Sequence, residues 1–262
     1  MDLNLAGRHA LVCGASEGIG RAAAVELALL GADVTVLARR ETVLADVVAS
    51  LPLVAEGQRH GALAQDVADT PALATAVGAA LVDHPVHILV NNTGGPPGGR
   101  ALDAGADDYL SAFQRHLLAN QVLAQAVVPG MRQARWGRII NVVSTSVKEP
   151  IANLGVSNTI RGAVASWAKT LSKELGADGI TVNNVLPGYT RTQRLEQILR
   201  DRVEATGKDE AAVSAAMLAS VPAGRFAEAH EVAAAIAFLA TPAAGYVNGV
   251  SLAVDGGRMQ SL

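Results

Sequence analysis

Three groups of residues in this 262-residue chain have the types and spacing that chemistry requires. The first is Cys13-Gly14-Ala15-Ser16-Glu17-Gly18-Ile19-Gly20, which runs directly into an Ala/Leu-rich helical pattern. Glycines permit a sharp turn and close backbone approach. The helix behind them offers free N–H groups and the positive end of its dipole, so the loop suits the pyrophosphate of a dinucleotide. The second group is Ala38-Arg39-Arg40, roughly 20 residues further on, where an NAD site would place an acid on the ribose. Paired guanidinium donors suit a 2′-phosphate instead, which favours NADP(H) over NAD(H); the bland alternative is a solvated arginine pair opening the next helix. The third group is Ser144 with His116. A nucleophile and base of that kind would need an acidic third member and a strand-to-helix elbow, and neither is evident, so a hydrolase is not expected. His84 and His87 bracket Pro85 without a Cys or carboxylate cluster nearby, so no metal site is expected either.

Such groups need elements to hold them. Short β-branched runs at 9–13, 34–38, 60–65, 86–91, 138–143, 180–186 and 250–254 alternate with helical patterns at 18–30, 42–50, 71–82, 104–134, 157–175 and 228–240. The strands are apolar on consecutive positions, as strands covered on both faces of a parallel sheet are. The pattern predicts one α/β domain over 1–262: a Rossmann-type doubly wound parallel sheet of about seven strands with helices on both faces. The Gly/Pro-rich tract 93–99 follows a strand end, where parallel sheets place ligand loops. Segment 189–222 fits the sheet pattern least. Its polar helical stretches at 193–206 and 209–220 are read as a mobile lid or a peripheral helix pair.

Composition excludes several classes. Half of the residues are hydrophobic and 17% are charged, which argues against disorder. The net charge of −3 comes without a block of like charge, so neither nucleic acid nor a membrane surface is an expected partner. No apolar stretch has the length of a membrane span and no secretory signal is read at the start. The single cysteine, Cys13, cannot form an internal disulfide, and a cytoplasmic location is expected.

With these residues in hand, the chain resembles the short-chain dehydrogenase/reductase family along essentially its whole length. Gly14, Gly18 and Gly20 match its three-glycine signature, with Cys13 where Thr is usual. Gln65-Asp66-Val67 matches the carboxylate motif after the third strand, and Asn91-Asn92-Thr93-Gly94 matches Asn-Asn-Ala-Gly with Thr for Ala. Ile180-Thr181-Val182-Asn183 with Pro187-Gly188 and Thr192 matches the nicotinamide loop, and Val254-Asp255-Gly256-Gly257 matches the C-terminal signature. The resemblance implies that Gly14, Ser16, Glu17, Gly18, Ile19, Gly20, Arg39, Arg40, Asp66, Val67, Asn92, Thr93, Gly94, Arg161, Pro187, Gly188 and Thr192 contact the cofactor. Each motif also has a plainer reading: Asn91 and Asn92 as pins between strands, Asp66 as a turn cap, Pro187-Gly188 as a turn. The overall similarity is to bacterial 3-oxoacyl-carrier-protein reductases. It implies a small-molecule carbonyl or hydroxyl substrate and a homo-oligomer, tetramer or dimer, built through the helices near 119–134 and 157–175 and the last strand.

The catalytic set departs from the family. In the family a Tyr exchanges a proton with the substrate oxygen, a Lys one helical turn later lowers its pKa, a Ser orients the carbonyl and an Asn completes a proton path. Ser144 keeps the Ser position, whereas Ser157 stands for the Tyr, Arg161 for the Lys and His116 for the Asn. The three tyrosines, Tyr109, Tyr189 and Tyr246, all lie outside that helix. A Ser hydroxyl is a far weaker acid than a phenol, and an Arg stays protonated at neutral pH. His116, with an unperturbed pKa of ~6.5, and Tyr189, directly after Pro187-Gly188, are the candidate proton donors, beside water or the substrate itself. Two expectations follow: an oxidoreductase with an altered proton-transfer set, or a catalytically silent nucleotide-binding protein with a structural or regulatory role.

Overall fold

The computed structural model describes residues 1–82 and 84–261. Its strands are β1 (His9–Cys13), β2 (Asp33–Ala38), β3 (His60–Ala64), β4 (Ile88–Asn91), β5 (Gly137–Val142), β6 (Ile180–Pro187) and β7 (Ser251–Val254). They form one parallel sheet in the order β3-β2-β1-β4-β5-β6-β7. The order reverses between β1 and β4, the switch point at which open α/β sheets leave a crevice beyond the strand ends. The helices are α1 (Gly18–Leu29), α2 (Glu41–Ser50), α3 (Thr70–Ala80), α4 (Ala106–Phe113), α5 (Ala119–Gln133), α6 (Gly155–Leu175), α7 (Gln193–Thr206), α8 (Glu210–Leu218) and α9 (Ala229–Ala240).

Two apolar layers hold this arrangement. On one face, Ala23, Leu27, Ile236 and Ala240 of α1 and α9 pack on Val12, Val90, Ile140 and Val185. On the other, Leu73, Leu123, Met131 and Ala168 of α3, α5 and α6 pack on Leu11, Leu89, Ile139 and Val182. The inner strands β4 and β5 are buried at every position, as expected. The outer strands β3 and β7 are not, because each lies at a sheet edge. This corrects the reading of all seven as doubly covered.

The single helix expected over 104–134 is three pieces. Between α4 and α5, residues Gln114–Leu118 form a π-helical turn whose wider ring turns His116 inward, to 3% exposure. At the strand-start end of the sheet, Trp136 lies between two guanidiniums, Arg8 at 4.2 Å and Arg138 at 4.3 Å from its ring centre. The second indole, Trp167 on α6, donates from Nε1 to Gln121 Oε1 of α5 at 2.8 Å.

A row of amides crosses the sheet near its strand-finish end. Asn91 Nδ2 donates to Asn141 Oδ1 (2.8 Å), Asn141 Nδ2 to Asn184 Oδ1 (3.1 Å) and Asn184 Nδ2 to Ser251 Oγ (3.2 Å). The row follows the register Asn91↔Asn141↔Asn184↔Ser251, so each side chain faces its partner on the next strand. Beyond this end of the sheet, the helices α7 and α8 enclose a small core of their own, Leu195, Leu199, Val213 and Met217 with Phe226.

Candidate active site

A cleft of ≈1200 Å³ opens at the strand-finish end, over the β1/β4 switch point. The glycine loop forms its floor. Gly18 has φ +56, a left-handed conformation that favours glycine, and a Cβ on Gly20 would strike the Gly14 carbonyl oxygen. Asn92 Nδ2 donates to the carbonyls of Cys13 (3.3 Å) and Gly14 (3.2 Å), so Asn92 pins the loop from the next strand. The first turn of α1 has no acidic side chain and no side-chain cap, which leaves its N–H groups directed at the cleft. Ser16, Glu17, Ile19, Arg39, Arg40, Asp66, Val67, Thr93, Gly94, Pro187, Gly188 and Thr192 line the same space. Asp66 also caps its own turn, accepting from Ala68 N at 2.9 Å. Arg40 Nη2 lies 3.1 Å from Glu17 Oε2, an exposed ion pair across the cleft mouth. Cys13 is buried and its thiol is pushed up to about 12 by burial, so it stays protonated and inert.

Farther along the cleft, Ser144, Ser157, Arg161 and Tyr189 are brought together as lining residues. Ser144 follows β5 and accepts from Ser146 N (3.1 Å), which begins a short 3₁₀ turn. Ser157 sits in the first turn of α6, and Arg161 follows one turn later on the same face. Arg161 is buried, at 9% exposure. Its Nη1 donates to Val142 O (2.8 Å) and its Nη2 to Thr93 O (3.4 Å), tying the ends of β5 and β4 together. Tyr189 packs edge-on against Phe226, with ring centres 6.1 Å apart, and carries the Arg258 guanidinium 4.6 Å above its own ring.

His116 is placed differently. It lines a smaller adjoining cavity of ≈410 Å³, reached past Gly94 and Gly95, and its Nδ1 lies 2.6 Å from Thr93 Oγ1. Burial, followed by repulsion from Arg161 and then Arg115, pushes its pKa down to about 3. The near-neutral titration that singled it out in the sequence is therefore not kept; at physiological pH the ring is an uncharged hydrogen-bond partner for Thr93.

Three cleft residues were missed by motif reading. Arg194 lies two positions beyond Thr192, on the first turn of α7, and donates to Pro96 O at 2.7 Å. Arg258 follows the Asp255-Gly256-Gly257 signature, where Asp255 accepts from Gly257 N and Met259 N to hold the turn. Arg115 borders both cavities. Only the adjacency of Arg194 and Arg258 to recognised motifs offered a signal; nothing in the sequence marked Arg115.

The geometry agrees with comparisons to known proteins. A family model described as enoyl-(acyl carrier protein) reductase matches residues 14–258. The 3-oxoacyl-[acyl-carrier-protein] reductase of Haemophilus influenzae is 35% identical over 254 residues, 96% of this chain and 98% of that protein. The short-chain reductase protein NovJ of Streptomyces niveus is 33% identical over 252 residues, 95% of this chain and 93% of that protein. Among solved structures, L-sorbose reductase from Gluconobacter frateurii, complexed with NADPH and L-sorbose, is similar at a TM-score of 0.92 and 29% identity, with both chains covered at 100%.

Proposed function

The chain belongs to the short-chain dehydrogenase/reductase family, and on that premise we propose that it is an NADP(H)-dependent oxidoreductase acting on a carbonyl or hydroxyl compound with an altered proton-transfer set. The observation that carries this reading is the cleft itself. A glycine cradle and an uncapped α1 N-terminus lie at one end of it, and Ser144, Ser157 and Arg161 lie farther along. The cradle fits a dinucleotide: glycine at 14 and 20 lets the loop pack against Asn92 and against itself, where a Cβ would clash, and so keeps the tight turn before the α1 N-terminus. The bound nicotinamide would supply or accept the hydride. Arg39 and Arg40 favour a 2′-phosphate, consistent with the NADPH in the L-sorbose reductase complex.

In this reading Ser144 Oγ orients the substrate oxygen by a hydrogen bond, and Ser157 Oγ holds a water beside it. Arg161 fixes a positive charge under that oxygen and stabilises the negative charge that develops there during reduction. Because Arg161 remains protonated, the proton reaches the oxygen from water rather than through a titrating side chain, and the hydroxide left behind takes a proton from solvent through the open cleft. Tyr189 and the α7–α8 pair, residues 189–222, close over the substrate as a lid.

The rival reading, a silent nucleotide-binding protein, draws on the two hydrogen bonds that tie Arg161 to backbone carbonyls. Titration of the protein with NADPH and NADH, followed by turnover over a panel of ketones, aldehydes and alcohols, separates the two. Tighter NADPH binding with measurable turnover supports the enzyme; NADPH binding with no turnover across the panel supports the silent protein.

A further inference from the structure

We propose that the substrate carries an oxyanion, a carboxylate or a phosphate ester, held between Arg161 and Arg194 above Gly95. This deepens the oxidoreductase reading and rests on it for the word substrate. The two guanidiniums converge: a Cβ on Gly95 would lie 3.7 Å from Arg161 Nη2 and 3.7 Å from Arg194 Nη2. Among the described residues, neither guanidinium is within ion-pair distance of a carboxylate. Their hydrogen bonds go to the backbone carbonyls of Val142, Thr93 and Pro96. A guanidinium has five N–H donors, so donors remain for a bidentate partner. A buried, unpaired positive charge is costly, and two facing each other cost more. Their mutual repulsion is visible in Arg161, which burial first and Arg194 second hold down at about 10. An anion between them removes both costs.

The pair sits apart from the phosphate cradle, in the part of the cleft where the proposed reading puts the substrate. The phosphate cradle follows β1, whereas Arg161 is tied to the ends of β4 and β5, next to Ser144. Arg115 and Arg258 line the same cleft and add positive potential. Arg258 Nε is buried with no acceptor of its own. Thr192 caps α7, whose first turn carries Arg194.

Calorimetry on the whole protein saturated with NADP⁺, which cannot reduce a carbonyl ligand, tests this with matched pairs that differ in charge, 2-oxo acids against their methyl esters and dihydroxyacetone phosphate against dihydroxyacetone, while a parallel assay with NADPH follows turnover. The charged member of at least one pair is expected to bind about tenfold or more tighter, the size of a charge-assisted hydrogen bond. Which pair shows the preference tells carboxylate from phosphate. Arg194→Gln is expected to abolish most of the preference while NADPH affinity stays within about threefold; this partly buried site spares the more deeply buried Arg161. Equal binding of charged and neutral members overturns the proposal. So does an R194Q protein that keeps the preference but loses NADPH affinity about tenfold, which would assign the pair to the cofactor. Because the readout is binding, an anion preference without any NADPH consumption would sink the oxidoreductase reading and leave the anion site standing. Turnover of neutral ketones with no charge preference would do the reverse.

Discussion

Arg161, at the position where the family resemblance implies a titrating lysine, is a guanidinium that is buried, tied to two carbonyls and charged throughout the physiological range. Restoring both partners, Ser157→Tyr with Arg161→Lys, is expected to raise generic carbonyl reduction by about a hundredfold, the low end of what a positioned general acid contributes. Unchanged kcat/KM in a folded, NADPH-saturated double variant would count against the placement of Ser157 beside the substrate. His116 makes a separate prediction about stability. Its folded pKa, about 3, lies below the unfolded value of ~6.5. Between those values the unfolded chain binds a proton that the folded chain does not, so stability falls as pH drops, by about 1.4 kcal/mol per pH unit for this group. His9 and His87 are also lowered and act in the same direction. His116→Asn should flatten the acid limb of a urea-denaturation series between pH 6.5 and 4, and an unchanged limb would refute the assignment. Glu17→Gln releases Arg40 from its exposed ion pair. NADPH is then expected to bind a few-fold tighter, about the worth of a surface pair, with little change for NADH.

At the scale of elements, the amide row across β4, β5, β6 and β7 carries a clear expectation. Asn141 is 0% exposed and bonds on both sides. Asn141→Leu leaves the Asn91 amide donor and the Asn184 carbonyl oxygen without those partners, at a cost of about 2–5 kcal/mol in chemical denaturation. A loss under about 1 kcal/mol would mean the row is not a structural brace. This row also shows what a sequence can reveal. The strands were readable from the apolar runs Ile88-Leu89-Val90 in β4 and Ile139-Ile140 in β5, and Asn91 was read as a pin between strands in the plainer reading of its motif. Its partners Asn141 and Asn184 were not paired in advance, since register between strands about 40–50 residues apart is a tertiary fact. The π-helical turn was likewise hidden: Gln114–Leu118 continues the periodicity of the helices on either side, and one wide turn leaves no mark in hydrophobic spacing. The cofactor loop was legible because glycine, strand and helix each constrain the backbone locally. The arginine cluster was not, because Arg115, Arg194 and Arg258 come from three distant segments that only the folded cleft assembles.

For the whole molecule, β7 offers the plainest test of assembly. It is an edge strand with Leu252 at 37% exposure, and Val250 just before it is equally exposed. A homo-oligomer built through this edge predicts that Leu252→Arg lowers the mass measured by light scattering, while the far-ultraviolet circular dichroism stays that of the parent. A parent that is already monomeric would end that proposal. The two tryptophans then acquire a practical meaning. Trp136 is clamped between Arg8 and Arg138 where the strands begin, and Trp167 is bonded to Gln121 between α5 and α6. Neither lines the cleft. Indole emission is thus a gauge of whether the sheet and its helices are intact, and the blue emission of bound NADPH is a gauge of the cleft, so one cuvette reads folding and occupancy on two colours of light.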